Sequence, residues 1–245
     1  MTGFRLELLL RFTHYDRVAT PFHPPMIDPD QLRPLIDLVH QDLRPQLRLE
    51  SIHPHNPVKV HYLPTPWILL GTGNYAAVVS HPDYPEHAIK IYAPTRPGFA
   101  EEVEVYRRLG IHPAFSQCFY AHDGLLILKR LRGVTLYDCL HRGLRIPKQV
   151  IADIDQALDY ARGQGLNPRD IHGKNVMMAD DRGFVVDISD FLKPGSGAVW
   201  WDFKRFYFWI YRPLLSPAKI PIPLKLLDLS RFVYRGLRAL FQRQA

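Results

Sequence analysis

The residues best suited to chemistry lie in two short stretches. In "NPRDIHGKNVMM" Asp170 precedes Asn175 by five positions, and in "VVDISDF" Asp187 and Asp190 follow twelve and fifteen residues after Asn175. A carboxylate that stays anionic at neutral pH can accept the proton of a hydroxyl. Upstream, "LLGTGNYAAVV" carries Gly71 and Gly73, where missing side chains let backbone amides approach a phosphate. Lys90 sits in the otherwise apolar "HAIKIY", and Glu101, Glu102 and Glu104 follow in "FAEEVEVYRRLG". An ion pair between a strand lysine and a helix glutamate would aim that lysine at phosphates. Taken singly, a glycine pair is ordinary in a hairpin and acids on a helix ordinarily face water.

These residues need elements to hold them. "WILLGTG", "AAVVS" and "HAIKIY" read as strands, with glycine and "HPDYPE" as punctuation. "FAEEVEVYRRLG" reads as a helix whose apolar side is Phe99, Val103, Tyr106 and Leu109, stopped by Gly110. "FSQCFYA" and "GLLILKRL" give two more strands, so the segment is a small sheet with one helix inserted. After Gly133 the chain turns helical. "PKQVIADIDQALDYARGQG" buries Val150, Ile151, Ile154, Ala157, Leu158 and Ala161, and the Asp170 loop follows it. "NVMMA" and "GFVVDI" form two strands around "DDRG". "AVWWDFKRFYFWIYR" is helix-like, with a proline-rich break at 213–223 and a basic helix at 224–242.

Residues 1–66 are punctuated by prolines, which exclude a long uninterrupted helix. One helix is expected at about 31–43, capped by Asp30, with Leu32, Leu35, Ile36, Val39 and Leu43 on its buried side. The 245 residues carry 31 Lys and Arg against 24 Asp and Glu, a net charge of +7 that suits an anionic ligand or surface without choosing one. Two cysteines, Cys118 and Cys139, are too few for a disulfide scaffold and fit a reducing interior. No apolar run reaches the length of a membrane span, so a soluble, cytoplasmic protein is expected.

The order of these pieces resembles the protein-kinase-like superfamily over roughly residues 67–212. "GTGNYAAVV" looks like its glycine-rich loop, "AIKIY" like its V-A-I-K strand, and "RDIHGKNV" like its catalytic loop. The resemblance implies an α+β, two-lobed fold with a small β-rich N-lobe at 67–131 and a mainly helical C-lobe at 132–245. Residues 1–66 would be a proline-rich extension packed on it. It also implies a compact, atypical bacterial-type serine/threonine kinase that moves the γ-phosphoryl group of ATP to a hydroxyl. Asp170 would take or orient the acceptor's proton, Asn175 and Asp187, or Asp190 in its place, would hold Mg²⁺, and Lys90, paired with Glu102 or alternatively Glu101 or Glu104, would contact the α- and β-phosphates. Gly71 and Gly73 would cover the phosphates, and backbone groups from Lys129 to Leu131 would meet adenine.

The sequence departs from the family's pattern in places. Pro168 replaces the histidine of H-R-D. His172 is similar to the D-x-H-x-x-N loop of small-molecule phosphotransferases, whereas Arg169 is similar to protein kinases, so a sugar or lipid kinase stands beside a protein kinase. The D-F-G motif is altered to "DIS" at Asp187 and "DFL" at Asp190, and no A-P-E follows, which leaves a pseudokinase or scaffold as the alternative. Asp202 is either the buried aspartate beneath the catalytic loop or a helix N-terminal acid. At the basic end Leu226, Leu229, Val233, Leu237 and Leu240 share one face, and Arg231, Arg235 and Arg238 share another. That helix either packs on the C-lobe or meets an anionic membrane or acidic partner. No motif for specific nucleic-acid reading is present.

Overall fold

Residues 29–53, 56–195 and 197–230 are described by the computed structural model, with the backbone alone at 29–31. The chain enters through α1 (Pro29–Leu38), runs through a π turn (Val39–Leu43) and ends that helix in α2 (Arg44–Gln46). Pro34 lies inside α1, near enough to its start that the missing N–H disrupts little. The cap expected at Asp30 falls outside the described side chains. A small antiparallel pair, β1 (Arg48–Glu50) and β2 (Lys59–Tyr62), comes next.

The β-rich lobe is an antiparallel sheet of β3 (Ile68–Thr72), β4 (Ala76–Ser80), β5 (His87–Tyr92), β6 (Cys118–His122) and β7 (Leu125–Lys129), in the order β3-β4-β5-β7-β6. Helix α3 (Phe99–Leu109) is inserted between β5 and β6. Period-two alternation sends the side chains of each strand to two different cores. Val79, Ile89, Ile91, Leu125 and Ile127 are covered by Leu32 and Leu35 of α1, Val39 and Leu43 of the π turn, and Trp67. Ala76, Ala88, Tyr92, Leu126 and Leu128 face the opposite way, towards α3 and the second lobe. Burial of each leucine on α1 contributes about 1.5–3 kcal/mol. The expected apolar face of that helix is thus present, with Ile36 only half-buried.

In the second lobe β8 (Val134–Thr135) leads into α4 (Leu136–Arg142), where the Thr135 hydroxyl caps the helix by accepting the Asp138 N–H at 3.0 Å. Helix α5 (Lys148–Gly163) follows, and its buried positions include all six expected apolar residues and also Asp153. The hairpin of β9 (Val176–Ala179) and β10 (Arg182–Val185) lies against α5. Asp180 and Asp181 both have positive φ (48° and 59°), as a two-residue hairpin turn of matching twist requires. Asp153 pins the hairpin by accepting from Arg182 at 2.7 and 3.1 Å and from the Gly183 N–H at 3.0 Å. A Cβ at Gly183 would meet the Val150 carbonyl oxygen at 2.4 Å, so only glycine allows this approach.

Helix α6 (Ala198–Phe206) continues into a π segment (Tyr207–Leu215) that contains Pro213. The break expected from 213 therefore starts after Leu215. A wide π turn tolerates a residue without an N–H better than a regular α turn does. The chain is helical again from 224 to 230, and Arg231, Arg235 and Arg238 of the expected basic helix lie outside the described residues.

Candidate active site

The cross-strand register Gly71↔Val78 and Val78↔Lys90, continued by Lys90↔Leu126, sets these four residues in one row across the sheet. Lys90 points towards α3, where its ammonium lies 2.8 Å from each oxygen of Glu102. The Glu102 side chain is only 1% exposed and also accepts the Tyr92 hydroxyl. A glutamate this buried needs such partners, because an unpaired carboxylate would be strongly destabilising. This pairing turns α3: its buried face is Glu102, Val105, Tyr106 and Leu109, and the expected Phe99 and Val103 are half-buried at its margin. Glu101 faces solvent, and Glu104 binds Arg107 and Arg108, which hold its carboxyl down to about 2.

Below the sheet, the β9–β10 hairpin brings the second set together. Val176 pairs with Val185, and the Val186 N–H donates to the Asn175 carbonyl at 2.9 Å, so Asn175 and Asp187 emerge side by side at the open end. Asp187 Oδ1 lies 3.8 Å from the Lys90 ammonium, and 40% of the Asp187 side chain is open to the cleft. Desolvation disfavours its charged form, but Lys90 and the Ser189 N–H and hydroxyl outweigh it and hold the carboxyl below its ordinary value. Lys90 answers in kind. Burial opposes its charge, while Glu102 and Asp187 together raise its pKa.

Asp170 takes a left-handed backbone conformation, φ 55°, which a non-glycine residue adopts only when its surroundings demand it. Its carbonyl accepts the His172 N–H and the Asn175 side-chain amide, each at 3.0 Å. The Asn175 amide oxygen is left facing away from that bond. The Asp170 carboxylate is 46% exposed and lies 3.8 Å from His172 Nε2. The loop is anchored from the other side by Asn167, whose N–H donates to the Phe191 carbonyl at 2.7 Å and whose amide reaches Lys193 and Gly195. Arg169 donates to the Pro194 carbonyl. Pro168 has no such donor, and Asn167 and Arg169 tie the loop down beside it.

Nine of the residues singled out from the sequence line one cleft between the lobes: Gly71, Gly73, Lys90, Glu102, Lys129, Leu131, Asp170, Asn175 and Asp187. Its volume is about 800 Å³. Three details differ from expectation. The Gly73 N–H donates to the Ala76 carbonyl at 2.9 Å and closes a tight turn, so Asn74 and Tyr75 form the tip of the loop. Both chemical groups of the Lys129 backbone are engaged, its N–H by Gln117 at 2.8 Å and its carbonyl by the Ser116 hydroxyl at 2.7 Å. The Arg130 N–H goes to Glu86, which makes Leu131 the better-placed donor of the three. Asp202 is not buried: its side chain is 43% exposed and lies 3.9 Å from Arg205.

Asp190 also lines the cleft, but its carboxylate is bound by Lys193 at 2.5 Å. Lys193 then donates to the Tyr75 hydroxyl at 2.8 Å and lies over that ring at 4.6 Å. This chain of contacts ties the tip of the glycine-rich turn to the segment after Asp187. Neither Tyr75 nor Lys193 was marked by sequence reasoning, because partners 118 residues apart leave no local pattern. The donor set fits a hard cation shared with phosphate oxygens, since the Asn175 amide and the Asp187 carboxylate both line the cleft that Lys90 enters. Among the described residues no cluster of three His, Cys, Asp or Glu could hold a metal by itself.

No protein-family model matches the chain. It is 29% identical over 136 residues to a Bacillus subtilis protein whose name reads "Putative serine/threonine-protein kinase YrzF", covering 55% of this chain and 63% of that one. It is 27% identical over 146 residues to human "Ribosomal protein S6 kinase alpha-2", covering 52% of this chain and 20% of the relative. Among solved structures, the kinase domain of Mycobacterium tuberculosis PknI matches at 26% identity with a TM-score of 0.39, over 49% of this chain and 57% of that one. The chain thus spans less than two thirds of the length of the curated relatives it matches. Both relatives carry protein-kinase names, one of them as putative, and the chain described above has a β-rich lobe, a helical lobe and a cleft between them.

Proposed function

We propose that this protein-kinase-like chain is an ATP-dependent phosphotransferase of the serine/threonine-kinase type, acting on a hydroxyl acceptor. The observation that carries the reading is the convergence of the Lys90–Glu102 pair with Asp187, 3.8 Å from Lys90, in the cleft that also holds Asp170 and Asn175. ATP would lie between the lobes with its adenine at Leu131 and its phosphates under the Gly71–Gly73 turn. Lys90, held straight by Glu102, contacts the α- and β-phosphates. Asn175 and Asp187 would hold Mg²⁺, which when bound neutralises charge on the phosphate oxygens. Asp170 accepts the acceptor's hydroxyl proton as its oxygen bonds to the γ-phosphorus. The bond from that phosphorus to the β–γ bridging oxygen breaks, ADP leaves, and the proton passes from Asp170 to solvent.

The acceptor, whether protein, sugar or lipid, is open in this reading, because Arg169 and His172 point to different classes. A nucleotide-binding scaffold without turnover is the second reading. It is favoured by Ile188 and Ser189 after Asp187, where the family's motif has phenylalanine and glycine. Calorimetric titration with ATP, with and without Mg²⁺, tests the site itself. We expect Mg²⁺ to strengthen binding and Lys90→Met to weaken it about tenfold or more. Mg²⁺-independent binding with no turnover on any acceptor supports the scaffold, and no ATP binding at all contradicts both readings.

A further inference from the structure

The helix that runs through α6 and its π segment has two unlike faces. Trp200, Tyr207 and Tyr211 are buried at 2% exposure or less. Trp200 donates to Asp155 at 2.7 Å, Tyr207 to the Ile146 carbonyl at 2.9 Å and Tyr211 to the Leu144 carbonyl at 2.7 Å. That face is a docked helix against the second lobe. On the other face Trp201, Arg205, Phe208, Trp209 and Arg212 recur at three- and four-residue spacing. Trp201 is 61% exposed and Trp209 79%, and the Arg205 side chain is 79% exposed. Such large aromatic surface is not needed by the fold, and a soluble monomer ordinarily keeps it covered.

The apolar surface continues past the helix. Leu214, Leu226 and Leu229 are 63%, 55% and 56% exposed. Lys204 and Arg205 have acids beside them, Asp155 at 2.9 Å and Asp202 at 3.9 Å, whereas Arg212, Lys219 and Lys225 are exposed and have no ion pair among the described residues. Lys204 lies over the Trp201 ring at 3.8 Å, with its ammonium held by Asp155 at 2.9 Å. Tryptophans flanked by arginine and lysine fit the boundary between acyl chains and headgroups, where the ring enters and the cation stays at the phosphate.

We propose that this face, Trp201, Phe208, Trp209 and Leu214 with Arg205 and Arg212, docks the protein on an anionic lipid bilayer. Charge complementarity selects the occupant. A neutral apolar partner would leave Arg212, Lys219 and Lys225 without counter-charges, whereas anionic headgroups supply them beside the apolar layer. The docked helix would lie along the bilayer surface; among the described residues no helix is long and apolar enough to cross a membrane. The docked face is not remote from the cleft. Asp228, on the helical stretch with Leu226 and Leu229, accepts the Tyr137 hydroxyl at 2.6 Å and lies 3.9 Å from Lys174, which lines the cleft. Docking needs no phosphoryl transfer, so vesicle binding and turnover fail or stand independently.

The test is sedimentation of the full chain with vesicles of phosphatidylcholine alone and of an equal mixture with phosphatidylglycerol. Wild type is expected to bind the mixed vesicles, to be released by high salt, and to have tryptophan emission quenched by brominated lipid. Trp209→Ser and the pair Arg205→Glu with Arg212→Glu are each expected to weaken that binding about tenfold or more. All are surface changes, and an unaltered melting temperature checks that the fold is kept. No binding to the mixed vesicles, equal binding to neutral ones, or unchanged binding by both variants overturns the proposal. Loss of a dimer in the Trp209 variant, without vesicle binding by wild type, would assign the face to a second copy instead.

Discussion

The spacing of Asp187 and Asp190 left two candidates for one role, and the difference between them is the charge each already faces. Asp187 lies 3.8 Å from Lys90, whereas Asp190 is neutralised by Lys193 at 2.5 Å. Asp187→Asn is therefore expected to abolish the Mg²⁺ dependence of nucleotide binding, and Asp190→Asn to leave it in place; parallel titrations of ATP with and without the metal check this. The pair's pH behaviour follows from its signs. The Asp187 carboxyl lies below its ordinary 3.8, so its stabilisation is present above that value and lost as pH falls through the lower folded pKa. Lys90 lies above its ordinary 10.5, so its share is present below that value and lost as pH rises through the higher one. The stability difference between wild type and Lys90→Met is expected to stay flat from about pH 5 to 9 in urea titrations. A slope inside that window would mean that another group governs the pair.

At the scale of elements, the pieces with a local signature were legible and the joins between them were not. Strands β3, β4, β5 and β7 follow from apolar runs bounded by glycine, proline and aspartate. Lys90 inside one of them, with three acids on the next helix, was enough to suggest an ion pair. The sequence could not tell that pairing with Lys90 would rotate α3 to bury Glu102, because helical periodicity weighs apolar residues and counts a glutamate as outward. Nor could it mark Asp153, a buried acid whose partners Arg182 and Gly183 are 29 and 30 residues away. Gly183→Ala, which would force a Cβ to within 2.4 Å of the Val150 carbonyl oxygen, is expected to destabilise by about 1–3 kcal/mol in chemical denaturation. The contact from Tyr75 to Lys193 was equally invisible. Tyr75→Phe, which removes the hydroxyl that Lys193 reaches and leaves the Lys193–Asp190 pair intact, is expected to loosen the glycine-rich turn, seen as faster proteolysis at Asn74–Tyr75, with little change in melting temperature.

Across the whole molecule, the two faces of the sheet divide the work. One face builds the cleft with α3 and the second lobe, and the other is sealed by α1. The apolar spacing at about 31–43 predicted the helix and its buried side but not their target, since a helix face names no partner. Leu35→Ala removes a side chain with 0% exposure and is expected to cost about 2–5 kcal/mol. Its cavity lies behind the sheet, so ATP affinity of the folded fraction should be unchanged. The central claim is that Asp170 takes the acceptor's proton in a cleft that holds ATP, and the transfer of labelled γ-phosphate tests it most directly. Wild type and Asp170→Ala would be screened with ATP and Mg²⁺ against protein, sugar and lipid acceptors. The account predicts transfer to a hydroxyl by wild type and a loss of about 10²-fold or more in the variant, with ATP affinity retained. Equal transfer by the Asp170 variant, or none by wild type on any acceptor, would contradict it.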